Sequence, residues 1–164
     1  MIILGIDPGY ATVGFGILES NGTRHKAIEY GVITTPKEES LPKRLAKIAE
    51  GFNIIIDRYH PDAIAMEELF FTNNQKTAIL VAEARGVILL TAYQKCKNLY
   101  EYTPLQIKQA MTGYGKADKK QIQQMVKTYL NLTSIPKPDD AADALAIAIC
   151  HGNSMNMRNL KIRG

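Results

Sequence analysis

Four acidic residues of this chain each border an apolar segment: Asp7, Glu67, Asp140 and Asp143. An unpaired carboxylate is costly to bury and neighbouring carboxylates repel one another, so a fold that buries these segments must compensate their charge. A divalent cation relieves both penalties, and hard oxygen ligands select Mg²⁺ or Mn²⁺ over zinc. The pattern therefore predicts a metal-dependent phosphoryl-transfer site.

Each acid taken alone has a simpler explanation. Asp7 could accept hydrogen bonds in the turn that follows it, and Glu67 could lie in solvent. Asp140 could cap a helix, as the adjacent Asp139 could in its place. Asp143 fits neither explanation well, because it lies inside an apolar helical segment. The joint pattern of two strand-end acids and a helical Asp-Ala-Ala-Asp favours a shared site.

Three strands joined by short turns are predicted at the amino terminus. Residues 1–6 are almost wholly apolar, which is typical of a strand covered on both faces in the middle of a sheet. Residues 13–19 and 26–33 are the next two strands, because Ser20-Asn21-Gly22 between them is a strong hairpin signal. We expect an antiparallel meander whose first strand ends at Asp7.

Helices and two further strands follow. Apolar residues three and four apart after Ser40, which suits an N-cap, predict an amphipathic helix to Tyr59. A strand that follows a helix usually joins its sheet in parallel. The later segments are a strand at 63–66, a helix from Asn73 or Asn74 to about Cys96, a strand at 99–102, a short helix from Pro104, a helix from the capping box of Asp118 and Gln121 toward Leu130, and a last helix from about 140.

These elements predict an α/β fold whose five-stranded mixed sheet, three antiparallel then parallel strands, is flanked by helices. Asp7 and Glu67 would close two interior strands, and ligand sites of open α/β sheets lie beyond such carboxyl ends. Asp140 and Asp143 are three residues apart and share one side of a helix. If that helix crosses the strand ends, the four carboxylates meet and could hold two metal ions roughly 4 Å apart.

The composition favours one cytoplasmic domain over residues 1–164. The chain is long enough to bury a core without disulfides, and Cys96 and Cys150 lack disulfide or ligand spacing. No stretch approaches the roughly 20 apolar residues of a membrane helix, and the amino terminus lacks a signal-peptide pattern. We see no internal repeat or linker, so we expect a single domain and no membrane partner.

Positive charge is concentrated in two segments. The net charge is +4, yet residues 95–127 carry seven lysines against two acids, and the tail from His151 onward adds Arg158, Lys161 and Arg163 without an acid. An acidic centre beside basic flanks suits an enzyme that holds a polyanion around a metal site. A solvated lysine-rich face explains the charge equally well.

At these residues the chain resembles the RuvC family of Holliday junction resolvases, nucleases with an RNase H-like fold. The motifs that carry the resemblance are Gly-Ile-Asp-Pro-Gly at 5–9, Glu67 before Leu69-Phe70, Ala-Arg-Gly at 84–86, Lys108, Lys119, and Asp-Ala-Ala-Asp-Ala-Leu-Ala-Ile-Ala at 140–148. The first motif is weak alone, since actin-like ATPases also begin with an acidic strand-turn-strand. The order, spacing and total length of the motifs are specific.

The resemblance implies a homodimeric, structure-selective endodeoxyribonuclease that resolves four-way (Holliday) DNA junctions in homologous recombination and DNA repair. It implies paired symmetric nicks by Mg²⁺-dependent phosphodiester hydrolysis, with Mn²⁺ able to substitute, leaving 5′-phosphate and 3′-hydroxyl ends. A branch-migration helicase complex (RuvA and RuvB) is the implied protein partner.

The resemblance also implies residue roles. It assigns catalysis and metal binding to Asp7, Glu67, Asp140 and Asp143, catalysis and DNA binding to Lys119, and DNA binding to Lys108 and Phe70. From their charge alone, the basic residues of the tail from about residue 154 are expected to contact backbone phosphates. Either lysine could instead lie on an ordinary surface, and Phe71 is as consistent with the core as with DNA. Strand alternation lets only one of Glu67 and Glu68 face a cleft, and the resemblance selects Glu67.

Small residues recur on the long helix, where Ala78, Ala82 and Gly86 lie one turn apart and permit close backbone approach. The residues alone leave open whether the partner is the sheet or a second subunit, and the resemblance favours a subunit.

Two other functional classes compete. An actin-like ATPase or kinase fragment shares the first motif but needs a second lobe that 164 residues hardly accommodate. A non-catalytic junction-binding protein would keep the lysines and have no use for the acids.

Overall fold

The computed structural model describes residues 1–69 and 75–154. Its elements in chain order are the strands β1 (Ile2–Asp7), β2 (Thr12–Ser20) and β3 (His25–Thr34), then α1 (Leu41–Tyr59), β4 (Ala63–Glu67), α2 (Gln75–Lys95), β5 (Leu99–Tyr102), α3 (Pro104–Thr112), α4 (Lys119–Tyr129) and α5 (Asp139–Ser154). The predicted order of strands and helices is confirmed. Among the residues described here, no helix is long and apolar enough to cross a membrane.

A mixed sheet with strand order β3-β2-β1-β4-β5 lies at the centre of the fold. β1, β2 and β3 pair antiparallel as a meander, whereas β4 joins β1 and β5 joins β4 in parallel. At the hairpin between β2 and β3, Asn21 Oδ1 accepts hydrogen bonds from the backbone N–H groups of Thr23 and Arg24, and Gly22 has a φ of 94°. The predicted meander and the parallel crossover are both confirmed.

Alternation along the strands divides the core into two layers. Ile3 and Ala65 pack with α3, α4 and α5, whereas Leu4 and Ile64 pack with α1 and α2 on the other side of the sheet. Because successive side chains of a strand point to opposite faces, Asp7 and Glu67 lie on the same face as Ile3 and Ala65. The two strand-end acids therefore share the face that α5 covers.

Close contact between α5 and the sheet depends on glycines in β1 and β2. A Cβ atom at Gly5 would lie 2.1 Å from the carbonyl oxygen of Ala144, and one at Gly14 would lie 2.0 Å from the carbonyl oxygen of Asp140. Real Cβ atoms do not approach backbone oxygen this closely, so the helix backbone can lie on the strands only where a side chain is missing. These contacts set the height of α5 above the strand ends.

Local capping signals set the limits of the two short helices, α3 and α4. Asp118 and Gln121 form the predicted capping box at the start of α4, and Thr103 and Gln106 form a second one at the start of α3. Gly113, in the left-handed region with a φ of 79°, ends α3 and donates its N–H to the Gln109 carbonyl. These caps fix the ends of the two helices that carry Lys108 and Lys119.

We predict that Gly14→Ala destabilises the fold by about 3 kcal/mol or more, because the new Cβ meets a backbone carbonyl that cannot rotate away. The measurement is urea unfolding at fixed pH. Gly115→Ala is the matched control, because its Cβ meets mainly the terminal methyl of exposed Leu105, and we expect a loss of about 1 kcal/mol or less. Equal losses for the two variants would contradict the close docking of α5.

Candidate active site

Asp7 and Glu67 lie side by side at one edge of the sheet. β1 and β4 are parallel with Ile6 opposite Met66, so the next residue of each strand, Asp7 and Glu67, falls at the same carboxyl end. Glu67 is partly buried and lines a cleft, whereas Glu68 is exposed and donates its N–H to the carbonyl of Tyr102 at 2.9 Å. The choice of Glu67 over its neighbour agrees with this geometry.

The first turns of α5 bring the other two acids to the same edge. Gly14 is the residue opposite Asp7 in the antiparallel ladder, and it is also the residue on which the Asp140 backbone rests. Gly14 thus lies between the two acids: Asp7 is its partner in the neighbouring strand, and the Asp140 backbone packs on it. Asp143, one turn further along α5, lines the cleft together with Glu67. The four predicted acids converge.

The acids are close enough to one another to perturb each other's ionisation. The pKa of Asp7 is raised from its ordinary value of 3.8 to about 8, and burial is the largest cause. The charges of Asp143, Glu67 and Asp140, in decreasing order, also raise the pKa of Asp7, and the Lys119 ammonium opposes them. In the absence of a cation the protonated form of Asp7 is strongly favoured.

Glu67 and Asp143 are perturbed in the same direction. Burial is the main cause of the raised pKa of Glu67; the Asp143 carboxylate adds to it, and the Lys108 ammonium lowers it. Burial also raises the pKa of Asp143, although its hydrogen bond with Lys119 partly offsets the shift. The protein thus collects more buried negative charge at this edge than its own cations neutralise.

Two lysines lie at the cleft, which has a volume of about 250 Å³ and an apolar floor between α3, α4 and α5. Lys119 Nζ is 3.0 Å from Asp143 Oδ2 and 3.6 Å from Asp139 Oδ2. Lys108 lines the same cleft. Burial by itself would lower the pKa of Lys119, but the hydrogen bonds and charges of the two aspartates outweigh it, so Lys119 is held protonated. The structure brings both predicted lysines to the acids.

The donor set suits a hard cation. Four carboxylates are the oxygen ligands that Mg²⁺ prefers, and the raised pKa values of three of them are what a divalent charge would reverse. Within residues 1–69 and 75–154, no three acidic, histidine or cysteine side chains stand close enough together to ligate a single ion. The charges of all three other acids nevertheless raise the pKa of Asp7. The four acids are therefore near enough to interact electrostatically, although their oxygens are not yet arranged around one point.

Arg44, for which no role was predicted, holds the turn that follows Asp7. Its buried side chain on α1 donates from Nε to Thr35 Oγ1 at 2.8 Å and from an Nη atom to the Tyr10 carbonyl at 3.3 Å. Its guanidinium carbon lies 4.7 Å from the centre of the Tyr10 ring. The sequence did carry a signal, because Arg44 stands three residues after Leu41 and four before Ile48, on the apolar stripe of α1.

Several predicted DNA contacts lie outside the described residues. They are Phe70, the neighbouring Phe71, and the basic residues Arg158, Lys161 and Arg163 of the carboxyl-terminal tail.

Comparison with known proteins identifies the family. The sequence model of the family described as "Crossover junction endodeoxyribonuclease RuvC" matches residues 3–151. Proteins of that name from Alkaliphilus oremlandii and Clostridioides difficile are 57% and 55% identical to this chain. The first alignment covers 98% of both chains, and the second covers 94% of this chain and 91% of its relative.

Solved structures of Holliday junction resolvases have the same fold as this chain. RuvC of Thermus thermophilus in complex with a Holliday junction substrate superposes with a TM-score of 0.92 at 33% identity, over 98% of each chain. The yeast mitochondrial Holliday junction resolvase Ydc2, at 18% identity and a TM-score of 0.67, shares the fold. The expected RNase H-like class is confirmed, and the chain belongs to the RuvC family of crossover junction endodeoxyribonucleases.

Proposed function

We propose that this chain resolves four-way DNA junctions in homologous recombination and repair, by paired symmetric nicks that leave 5′-phosphate and 3′-hydroxyl ends. The observation that carries the proposal is the convergence of Asp7, Glu67, Asp140 and Asp143 beside Lys108 and Lys119 at one end of the sheet. Support for the substrate comes from the 33%-identical Thermus protein, whose structure is in complex with a Holliday junction substrate.

The four carboxylates would hold Mg²⁺, with Mn²⁺ as a substitute, and four oxygen-donor side chains are enough for two ions. When bound, Mg²⁺ supplies positive charge that activates the attacking water and stabilises the leaving oxygen of the phosphodiester. The raised pKa of Asp7 supports this assignment, because a buried carboxyl among like charges gains most from a cation.

The lysines would act on the DNA itself. Lys119 is held protonated at the mouth of the cleft and can donate to a non-bridging oxygen of the scissile phosphate. Lys108, on α3, lines the same cleft and can contact the same or a neighbouring phosphate. Arg44 keeps the backbone turn after Asp7 in place, so it supports the site without touching substrate.

Paired nicks require two active sites, and an exposed stripe on α2 is suited to bring two copies together. Ile79, Leu90 and Tyr93 are more than half exposed although apolar, and Ala82 and Gly86 lie between them on the same side of the helix. Large residues at both ends of a stripe and small ones in its middle allow two helices to cross closely. Of the predicted small-residue row, only Ala78 is buried, which favours a subunit contact for the other two.

The competing classes fit less well. The match to RuvC proteins over nearly the whole chain argues against a fragment of an actin-like ATPase or kinase. A non-catalytic junction-binding protein would have no reason to gather four partly buried carboxylates at one edge of the sheet. As part of the same proposal, residues 1–164 form one domain with a basic tail, work in the cytoplasm and accept junctions from a branch-migration helicase complex.

We predict that Asp7→Asn abolishes Mg²⁺-dependent nicking of a labelled four-way junction and leaves junction binding intact or tighter. The change removes a metal ligand together with a negative charge that faces phosphate. Gel-resolved cleavage with mapped cut positions and a binding titration in EDTA are the measurements. Asp57→Asn, at an exposed carboxyl paired with Lys95, is the control that should keep both activities. Loss of binding in step with nicking would count against the assignment.

We predict that ionisation of Asp7 lowers the stability of the metal-free protein as the pH rises from about 4 to about 8, with little further loss above that. The folded-state pKa of Asp7, about 8, is above its unfolded value near 3.8, so the penalty for ionising it is absent below the lower value and complete above the higher one. Mg²⁺ should therefore raise the Tm more at about pH 9 than at about pH 6, by about 5 °C or more.

The same thermal unfolding series should separate Asp7 from an ordinary surface acid. Asp7→Asn is expected to flatten the pH slope and to reduce the Mg²⁺-induced rise in Tm, whereas Asp57→Asn should behave like the parent. A parent-like slope in Asp7→Asn would mean that Asp7 carries no such penalty.

We predict that Leu90→Glu weakens self-association at least about tenfold, because it places a charge on the apolar stripe that the proposed interface would cover. Light scattering after size exclusion measures the oligomeric state. Ile54→Glu, at an equally exposed apolar residue on α1, is the matched control and should remain associated. A parent that is monomeric at micromolar concentration, or a Leu90→Glu variant that associates as the parent does, would refute this interface.

A further inference from the structure

Asp139, directly before the proposed metal ligand Asp140, lies between two lysines. Its Oδ1 atom is 3.1 Å from Lys137 Nζ, and its Oδ2 atom is 3.6 Å from Lys119 Nζ. The two oxygens of Asp139 thus contact different lysines, one on each side. None of the roles assigned above uses this residue.

Lys119 is shared between two carboxylates with different surroundings. Asp143, its nearer partner at 3.0 Å, is partly buried and is one of the proposed metal ligands. Asp139 is more exposed and stands at the beginning of α5. A cation held by Asp143 would take up its negative charge and repel the Lys119 ammonium, so the shorter of the two contacts is the one that metal binding weakens.

We propose that Asp139 is a positioning residue that holds Lys119 at the mouth of the cleft when Asp143 binds a divalent cation. This inference depends on the proposed function, since it requires that Asp143 be a metal ligand. Asp139 gives Lys119 a second carboxylate partner, whose nearer oxygen is already 3.6 Å from the ammonium. The ammonium can therefore move away from Asp143 and still remain where a scissile phosphate would lie. Asp139 thus lowers the free-energy cost of replacing the lysine by a metal ion at Asp143 and keeps the lysine available for the substrate.

The arrangement predicts a specific coupling. Without Asp139, Lys119 has only Asp143 as its partner, and lysine and cation compete for one carboxylate. Without Lys119, that competition is absent, and Asp139 should matter little to metal binding. A general effect of one negative charge near the site would instead be the same whether or not the lysine is present.

The test is a double-mutant cycle on Mn²⁺ affinity in the absence of DNA, with the parent, Asp139→Asn, Lys119→Ala and the double variant, each measured by calorimetry on the full chain. We expect Lys119→Ala to bind Mn²⁺ more tightly and Asp139→Asn to bind it about three- to fivefold more weakly, the size that one partly exposed ion pair can produce. In the Lys119→Ala background, Asp139→Asn should change the affinity less than about twofold. Equal weakening in both backgrounds, or none in either, would overturn the proposal.

Nicking gives a second readout. Asp139→Asn should lower kcat with little change in KM, and Asp139→Glu, which keeps the carboxylate, should recover most of the loss. Asp139→Asn should add nothing further to the effect of Lys119→Ala. Asp57→Asn, an exposed aspartate paired with a lysine elsewhere, should leave kcat and Mn²⁺ affinity unchanged. Rate losses that add in the double variant would overturn the coupling.

Failure of the proposed function looks different. If the parent binds no Mn²⁺, or if Asp7→Asn leaves the affinity as it is in the parent, the carboxylate site itself is wrong. If Asp7→Asn weakens Mn²⁺ binding while Asp139 and Lys119 act independently of each other, the site stands and only the positioning role of Asp139 falls.

Discussion

The contact between the backbone of α5 and the glycines of β1 and β2 is the constraint on which the site depends. The absence of a side chain at Gly14 lets the Asp140 backbone rest directly on the strand that pairs with Asp7. A helix raised by even one methyl group would carry Asp140 and Asp143 away from the strand ends. The position of the acids is thus decided by packing and does not arise from attraction among them, since like charges at this edge repel.

That repulsion is tolerated because the rest of the domain is well packed. Burial and neighbouring carboxylates together raise the pKa of Asp7 to about 8, so the metal-free site lowers stability near neutral pH. Lys119 offsets part of this charge but is too exposed to neutralise it. Under the proposed function, a site that remains short of positive charge favours the binding of a cation, and a rigid scaffold is what keeps such mutually repelling acids together.

Much of this could be predicted from the sequence, and the limits are instructive. Glu67 was distinguished from Glu68 by resemblance, and strand alternation in the folded sheet supports that choice. Arg44 stood on the apolar stripe of α1, yet its partners Tyr10 and Thr35 come from another part of the chain and no local pattern names them. For Asp139 the sequence suggested only a helix cap. Its contact with Lys119 could not be predicted, because it depends on how α4 packs against α5.

By itself, the sequence determined the kind and order of the strands and helices and the turns between them. These follow from periodicity, caps and glycine or proline signals, which act over a few neighbouring residues. Only the tertiary structure decided that Gly14 seats α5, that Lys119 is divided between Asp139 and Asp143, and that Ala82 and Gly86 face outward on α2. Those facts depend on contacts between distant segments, whose distances are set by the packing of whole layers and are encoded in no single stretch of the chain.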